Sequence, residues 1–250
     1  MIRLDQEIAV VTGSSRGIGA HIAKTLAGAG CKVVVNYLNN KEKAEAVRDA
    51  IVAGGGAAIA VQADVSNAEA VRHLAEETLK AFGAPTLLVN NASAAIINKK
   101  IAKTEWGEFQ STFEIAVRSA YNCCQAVTPA MCKARKGKIV NIVTQYSLGT
   151  PPTAMATYVT AKYALVGFSK CLAVELAPFG IQVNMVSPGF TETDLTAHLP
   201  DHVKQAIAAQ TPLKRNATCA DVAQAVLFLA SPLADFMTGI NLPISGGNTM

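Results

Sequence analysis

Short apolar, β-branched runs alternate with longer stretches in which apolar residues recur at helical spacing, and the alternation persists nearly from end to end of the chain. Strands are predicted over residues 8–12, 32–37, 57–61, 86–90, 138–144, 181–187 and 240–243. Helices are predicted to begin near Gly17, Lys41, Asn67, Glu105, Ala156, Thr193 and Cys219. Strand followed by helix, repeated without a leftover linker, predicts one α/β domain over residues 1–250: a single doubly wound parallel sheet with helices on both faces. Local signals agree. Asp64, Ser66 and Asn67 supply cap-type side chains before the third helix, Gly83-Ala84-Pro85 ends it, and Gly54-Gly55-Gly56 reads as a turn.

Composition narrows the function classes. Half of the 250 residues are apolar, enough for a large core, and a net charge of +4 without an arginine-rich run argues against nucleic acid as partner. The six cysteines, Cys31, Cys123, Cys124, Cys132, Cys171 and Cys219, form no CxxC pair and no zinc-type set with histidine, so reduced, mostly buried thiols are expected and no metal. The first residues carry charges and lead straight into a strand, unlike a signal peptide, and no apolar stretch is long enough to span a bilayer. A soluble, cytoplasmic protein without membrane partners is the expectation.

Between the first strand and first helix the chain reads Val10-Val11-Thr12-Gly13-Ser14-Ser15-Arg16-Gly17-Ile18-Gly19. Glycines there allow a tight turn and close approach of a pyrophosphate, whose charge the free amides of a helix start attract. The Gly-x3-Gly-x-Gly spacing alone is weak; its position before a helix gives it weight. The second strand ends Val34-Val35-Asn36-Tyr37, with no carboxylate to hold an adenine ribose and repel a 2′-phosphate. Neutral Asn36 with Arg16, and Lys41 beyond, points to NADPH/NADP+. Asp64 suits the adenine amino group, a helix cap, or both, and Asn90-Asn91-Ala92 is placed to run past the adenine ribose.

Six ordered pieces now resemble the short-chain dehydrogenase/reductase family over essentially the whole length: Thr12-Gly13-x3-Gly17-Ile18-Gly19, Asp64-Val65, Asn90-Asn91-Ala92, Tyr158-x3-Lys162, Asn184-x3-Pro188-Gly189 and Gly246-Gly247. The stretch Pro188-Gly189-Phe190-Thr191-Glu192-Thr193-Asp194, with Phe228-Leu229-Ala230-Ser231 and Thr238-Gly239, is most similar to its 3-oxoacyl-ACP reductase branch. The resemblance implies a Rossmann-type fold, Tyr158 as proton donor, and Lys162 as its partner and a ligand of the nicotinamide ribose. It also implies that Pro188, Gly189, Thr191 and Thr193 lie along the cofactor. On a helix, positions 158 and 162 share a face, so the ammonium is expected to lower the phenol pKa. A Tyr and Lys at this spacing is otherwise a common surface pair; the surrounding motifs make the difference.

Three departures from the family pattern stand out. Its active-site serine becomes Thr144, with Ser147 as fallback. Its asparagine on the helix after the fourth strand becomes Ala116, and in the family that asparagine helps hold a water linking the lysine to solvent. Ser93 replaces a common glycine. The resemblance implies NADPH-dependent reduction of a ketone, a β-ketoacyl thioester or polyketide-like carbonyl, on a small-molecule or carrier-bound substrate, an acyl carrier protein included. Homotetramers are usual in the family, and a hetero-oligomer is an alternative. Rival readings are a weakly catalytic or non-catalytic cofactor-binding subunit, favoured by Ala116, and an alcohol dehydrogenase working in the oxidative direction.

Other features carry less. His198 and His202 flank Asp201, but Pro200 breaks the helical spacing and a solvated lid face is expected rather than metal. Cys123 and Cys124 read as packing on a long helix. The cluster Lys133, Arg135, Lys136 and Lys138 reads as a solvated turn that could also dock an acidic carrier. A substrate lid over about 189–212 carries Leu195, Leu199, Val203 and Ile207 at helical spacing; with Leu148, Pro151, Pro152 and Met155 opposite, it suggests an apolar substrate arm or simply packing of the lid.

Overall fold

The β-branched runs become strands buried on both faces. In β2 (Lys32–Tyr37) Val33, Val34 and Val35 are wholly enclosed, as a parallel sheet covered on both sides requires. The structure is a computed structural model that describes residues 2–249 apart from 194, 195 and 198. Its other strands are β1 (Ile8–Val11), β3 (Ala58–Gln62), β4 (Leu87–Asn90), β5 (Gly137–Ile142), β6 (Ile181–Pro188) and β7 (Asn241–Ile244), all parallel in the order β3-β2-β1-β4-β5-β6-β7. The chain winds outward from β1 to β3, returns to β4 beside β1, and winds outward again. The loops leaving β1 and β4 therefore diverge and open a crevice at the carboxyl ends of the strands.

Helices α1 (Gly17–Gly28), α2 (Lys41–Ala53) and α8 (Cys219–Ala230) cover one face, burying Ile22, Leu26, Ile51 and Val226 against Val33, Val35 and Val89. Helices α3 (Ala68–Ala81), α5 (Ser119–Ala134) and α6 (Ala156–Leu176) cover the other, burying Leu74, Val127 and Leu176 against Val10, Val34 and Leu88. Each large apolar side chain so enclosed contributes on the order of 1.5–3 kcal/mol. Asn67 caps α3 by accepting the amides of Glu69 and Ala70, while Asp64 takes the amide and hydroxyl of Ser66 just ahead of it.

Two elements depart from expectation. The helix predicted from Thr193 starts only at Asp201, as α7 (Asp201–Gln210), because Pro200 cannot donate within a helix and stands at its N-cap. Ahead of it Thr196 accepts the Thr193 amide and donates to Thr191, forming a turn instead. Asp194, Leu195 and His198 lie outside the described residues. The long helix predicted from Glu105 is α4 (Trp106–Phe113) joined to α5 through a π-helical turn, Glu114–Arg118. Among the described residues no helix is long and apolar enough to cross a membrane, and no group of three or more His, Cys, Asp or Glu could hold a metal.

Candidate active site

The glycine loop is shaped by contacts from two neighbouring strands. Gly13 has φ +60°, and a Cβ there would meet Ala92 Cα at 3.0 Å; one on Gly19 would meet the Asn91 amide nitrogen at 2.5 Å. Thr12 Oγ1 accepts the amides of Asn91 (2.9 Å) and Ala92 (3.0 Å), and Asn91 Nδ2 donates to the carbonyls of Thr12 and Gly13. Asn91 and Ala92 thus buttress the loop. No side chain caps the start of α1 at Arg16, which leaves its amide end to an anion. Ser15 and Ile18 are half-buried beside it, Arg16 is exposed, and Thr193 on the lid lies against Gly17, where a Cβ would be 3.7 Å from the threonine.

Asn36 does something other than face a phosphate. It is 2% exposed; its Oδ1 accepts the Gly13 amide (3.1 Å) and its Nδ2 donates to the carbonyls of Ala63 (3.0 Å) and Val61 (3.4 Å). Those bonds tie the glycine loop to the end of β3, which corrects the expectation that Asn36 is a cofactor contact. The strand's alternation puts the next residue, Tyr37, on the α1 face. Position 37 is therefore the one that looks toward the start of α1, and it carries no charge.

Asn90 is likewise diverted. It is buried, and its Nδ2 donates to Asn141 Oδ1 (2.8 Å), whose own amide donates to Ser169 Oγ (2.7 Å), which donates to the Leu165 carbonyl (2.6 Å). This ladder fastens α6 to β4 and β5 through the core, so the side chain of Asn90 has a structural part. Asp64 is exposed at the end of β3, and the backbone of Val65 is held by Asn122 Nδ2 (3.1 Å).

Tyr158 and Lys162 lie one turn apart near the start of α6, over the end of β5. Lys162 is 3% exposed, its Nζ donates to the Ile142 carbonyl (2.8 Å), and it stands 5.8 Å from the centre of the Tyr158 ring. Burial brings the ammonium down to about 8. The phenol is pushed up to about 12, chiefly by burial, with the Thr144 hydrogen bond opposing and the nearby Tyr146 adding to the rise. The expected lowering by Lys162 is thus outweighed, because the ammonium is turned to a carbonyl and the phenol is desolvated. Of the two hydroxyl candidates, Thr144 reaches Tyr158, whereas Ser147 Oγ donates to the Thr144 carbonyl (2.7 Å).

The segment after β6 closes the crevice. A Cβ on Gly189 would lie 3.1 Å from both Gln145 Oε1 and Ser245 Cα, so Pro188-Gly189 passes tightly between β5 and β7. Thr191 is buried, its hydroxyl donating to the Gly189 carbonyl (3.1 Å). Ala116 is buried within the π-turn, which packs against α6. The widened turn is therefore formed without the asparagine.

Tyr146 and Asn141 belong to no motif; the available signal was only that Tyr146 stands two residues after Thr144. The basic cluster is committed elsewhere. Arg135 donates to the Pro178 carbonyl (2.7 Å), Lys136 pairs with Glu7 (2.6 Å) and Lys138 with Asp235 (2.6 Å), all by the amino end of β5, away from the crevice. Cys123 and Cys124 are buried thiols whose ionisation burial suppresses, so packing is their part.

Comparison with known proteins agrees with this geometry. Residues 13–249 match a family model described as enoyl-(acyl carrier protein) reductase. A 3-oxoacyl-(acyl-carrier-protein) reductase FabG of Staphylococcus epidermidis is 40% identical over 245 residues, 97% of this chain and 98% of the relative. A 3-oxoacyl-(acyl-carrier-protein) reductase of Synechocystis is 38% identical over 251 residues, the whole of both chains. Among solved structures, a 7α-hydroxysteroid dehydrogenase complexed with NADH and 7-oxo-glycochenodeoxycholic acid superposes with a TM-score of 0.93 at 33% identity, covering 99% of this chain and 96% of that one. With the doubly wound sheet, the glycine loop at its switch point and the Tyr158–Lys162 helix beside it, these likenesses place the chain in the short-chain dehydrogenase/reductase family of oxidoreductases.

Proposed function

We propose that this protein reduces the ketone of a 3-oxoacyl thioester, borne on an acyl carrier, to a secondary alcohol with NADPH. The observation that carries the reading is the Thr144–Tyr158 hydroxyl pair set beside buried Lys162 over the end of β5. The loop suits a dinucleotide: it is packed too tightly at Gly13 and Gly19 for side chains and so presents backbone, the start of α1 is uncapped, and the Lys162 ammonium has spare protons to donate. Gly13, Ser15, Arg16, Gly17, Ile18 and Gly19 would line the pyrophosphate, with Asp64, Val65 and Ala92 toward the adenosine, and Lys162, Pro188, Gly189, Thr191 and Thr193 toward the nicotinamide half. When bound, the nicotinamide supplies a hydride to the carbonyl carbon.

The side chains supply the rest. A phenol pushed up to about 12 is fully protonated at neutral pH, so Tyr158 has a proton to give as the carbonyl oxygen gains charge. An alkoxide is a far stronger base than a phenolate, so the transfer runs downhill. Thr144 donates a hydrogen bond to the same oxygen, and the Lys162 ammonium stabilises the phenolate left behind. The choice of NADPH is supported by uncharged Tyr37 and Leu38 at the strand end, with Arg16 and Lys41 exposed nearby. The acyl carrier rests on the names of the relatives. Ala116 supports one rival reading, a cofactor-binding subunit with slow chemistry.

Spectrophotometric turnover with NADPH decides among these. Acetoacetyl thioester is expected to be consumed and crotonyl thioester spared, and Tyr158→Phe is expected to abolish turnover with NADPH affinity retained. Turnover of the crotonyl compound alone, or a parent rate in Tyr158→Phe, would overturn the proposal.

A further inference from the structure

The segment that follows β7 runs from the start of the lid, along its base, to the loop on the other side of the crevice. Where the chain enters the lid, the Gly189 amide donates to the Ile244 carbonyl (2.8 Å), with Ser245 directly alongside. Gly246 then lies against the lid's end: its carbonyl accepts the Leu213 amide (3.1 Å), and a Cβ on it would stand 2.7 Å from the Thr211 methyl. Asn248 Nδ2 donates to Thr211 Oγ1 (3.1 Å). One residue further the chain reaches the opposite rim. The Thr249 methyl lies 3.8 Å from the place a Cβ on Gly149 would take, and the Ser245 hydroxyl accepts the Thr249 amide (3.2 Å), which fixes the approach. Gly149 belongs to the loop 148–155, which leads from the turn after Thr144 to the start of α6 and Tyr158.

A crevice bounded by two loops becomes blind where a third segment joins them. Residues 245–249 meet the lid at Thr211 and the rim at Gly149, so the crevice is shut on the β7 side. On the other side the Lys99 amide donates to the Ala154 carbonyl (2.9 Å), tying the rim loop to the segment after β4, and among the described residues no hydrogen bond joins that segment to the lid. A thioester borne on a carrier needs an open exit for its arm, so its alkyl end must take the shut one. We infer that Gly149 and Thr249 are specificity-determining residues: together they form the end wall against which the alkyl group of the 3-oxoacyl chain stops, and so set its length. The inference rests on the reading of function above. The Gly149 backbone is not left-handed, so a side chain can be placed there without strain and would meet the Thr249 methyl at an ordinary contact distance.

The test compares 3-oxooctanoyl with acetoacetyl thioester in the parent, Thr249→Gly and Gly149→Leu. Opening the wall in Thr249→Gly is expected to raise the ratio of kcat/KM values, longer chain over shorter, by about four- to tenfold, and filling it in Gly149→Leu to lower the ratio by about tenfold or more, both mainly through KM. Calorimetric binding of 3-oxooctanoyl thioester to the Tyr158→Phe protein loaded with NADP+ should tighten and weaken correspondingly when each substitution is added, a readout that needs no turnover. Anything other than opposite shifts in the two variants, equal losses for both substrates included, would overturn the inference while leaving the reductase reading intact. If the parent turns over simple ketones and no thioester, the reductase reading falls. The ratio for 2-nonanone over 2-butanone in the same variants then decides the wall, opposite shifts supporting it and any other result overturning it.

Discussion

The buried ammonium of Lys162 should leave a signature in stability against pH. Its pKa falls from 10.5 to about 8 because the folded protein desolvates the charge and gives it one carbonyl, that of Ile142. Between those values the unfolded chain binds more protons than the folded one, so this group's contribution to stability rises as pH rises through the window. The shift corresponds to about 3 kcal/mol at about 1.4 kcal/mol per unit, an upper bound since local water entry relaxes it. Buried thiols act with the opposite sign. Cys31 and Cys124 are pushed up to about 12, so the unfolded state ionises first and stability falls above the ordinary thiol range. They are present in any variant, so a difference between two proteins cancels them. Urea unfolding of the parent and of Lys162→Met, from pH 7.5 to 10.5, should therefore show the parent gaining on the variant by about 1–3 kcal/mol, nearly all of it above about pH 8 and with its midpoint near about pH 9. A difference that stays flat, or falls, would mean that the ammonium is not desolvated as the structure has it.

Two further substitutions probe the cofactor end and the π-turn. Asn36→Asp should destabilise the fold by about 2–4 kcal/mol in denaturant, because it removes the donor to Ala63 and Val61 and buries a charge; Tyr37→Asp, on the α1 face, also costs stability because Tyr37 is buried, but the folded protein should in addition shift its cofactor preference toward NADH in a binding titration. Ala116→Asn should raise the reduction rate and reduce its solvent isotope effect if proton resupply to Tyr158 limits turnover, and stopped-flow rates in light and heavy water measure both.

The architecture was legible because hydrophobic period and turn chemistry are local. Six apolar runs followed by helical patterns, and a seventh at the end, admit little besides a doubly wound sheet, and Gly13, Gly17 and Gly19 mark the turn between first strand and first helix. The spacing of Tyr158 and Lys162 puts them on one face of a helix, and the surrounding motifs, rather than the spacing, singled the pair out. Packing decided what spacing could not. The sequence offers Asn36 to a phosphate and the Asn90 segment to the ribose, and strand alternation with the burial of β2 and β4 turns both side-chain amides inward, where each finds partners in the core. The order of the phenol and ammonium pKa values likewise depends on which carbonyl Lys162 reaches and how much water is excluded, which is decided by the packing of α6 against the end of β5. The start of α7 at Asp201 shows the reverse, a boundary that Pro200 had already announced but that the apolar period across 195–207 obscured. Local sequence thus determined which elements exist and which residues share a face, while only the tertiary structure decided which polar atoms remained free to meet a ligand, because that depends on partners brought in from other strands.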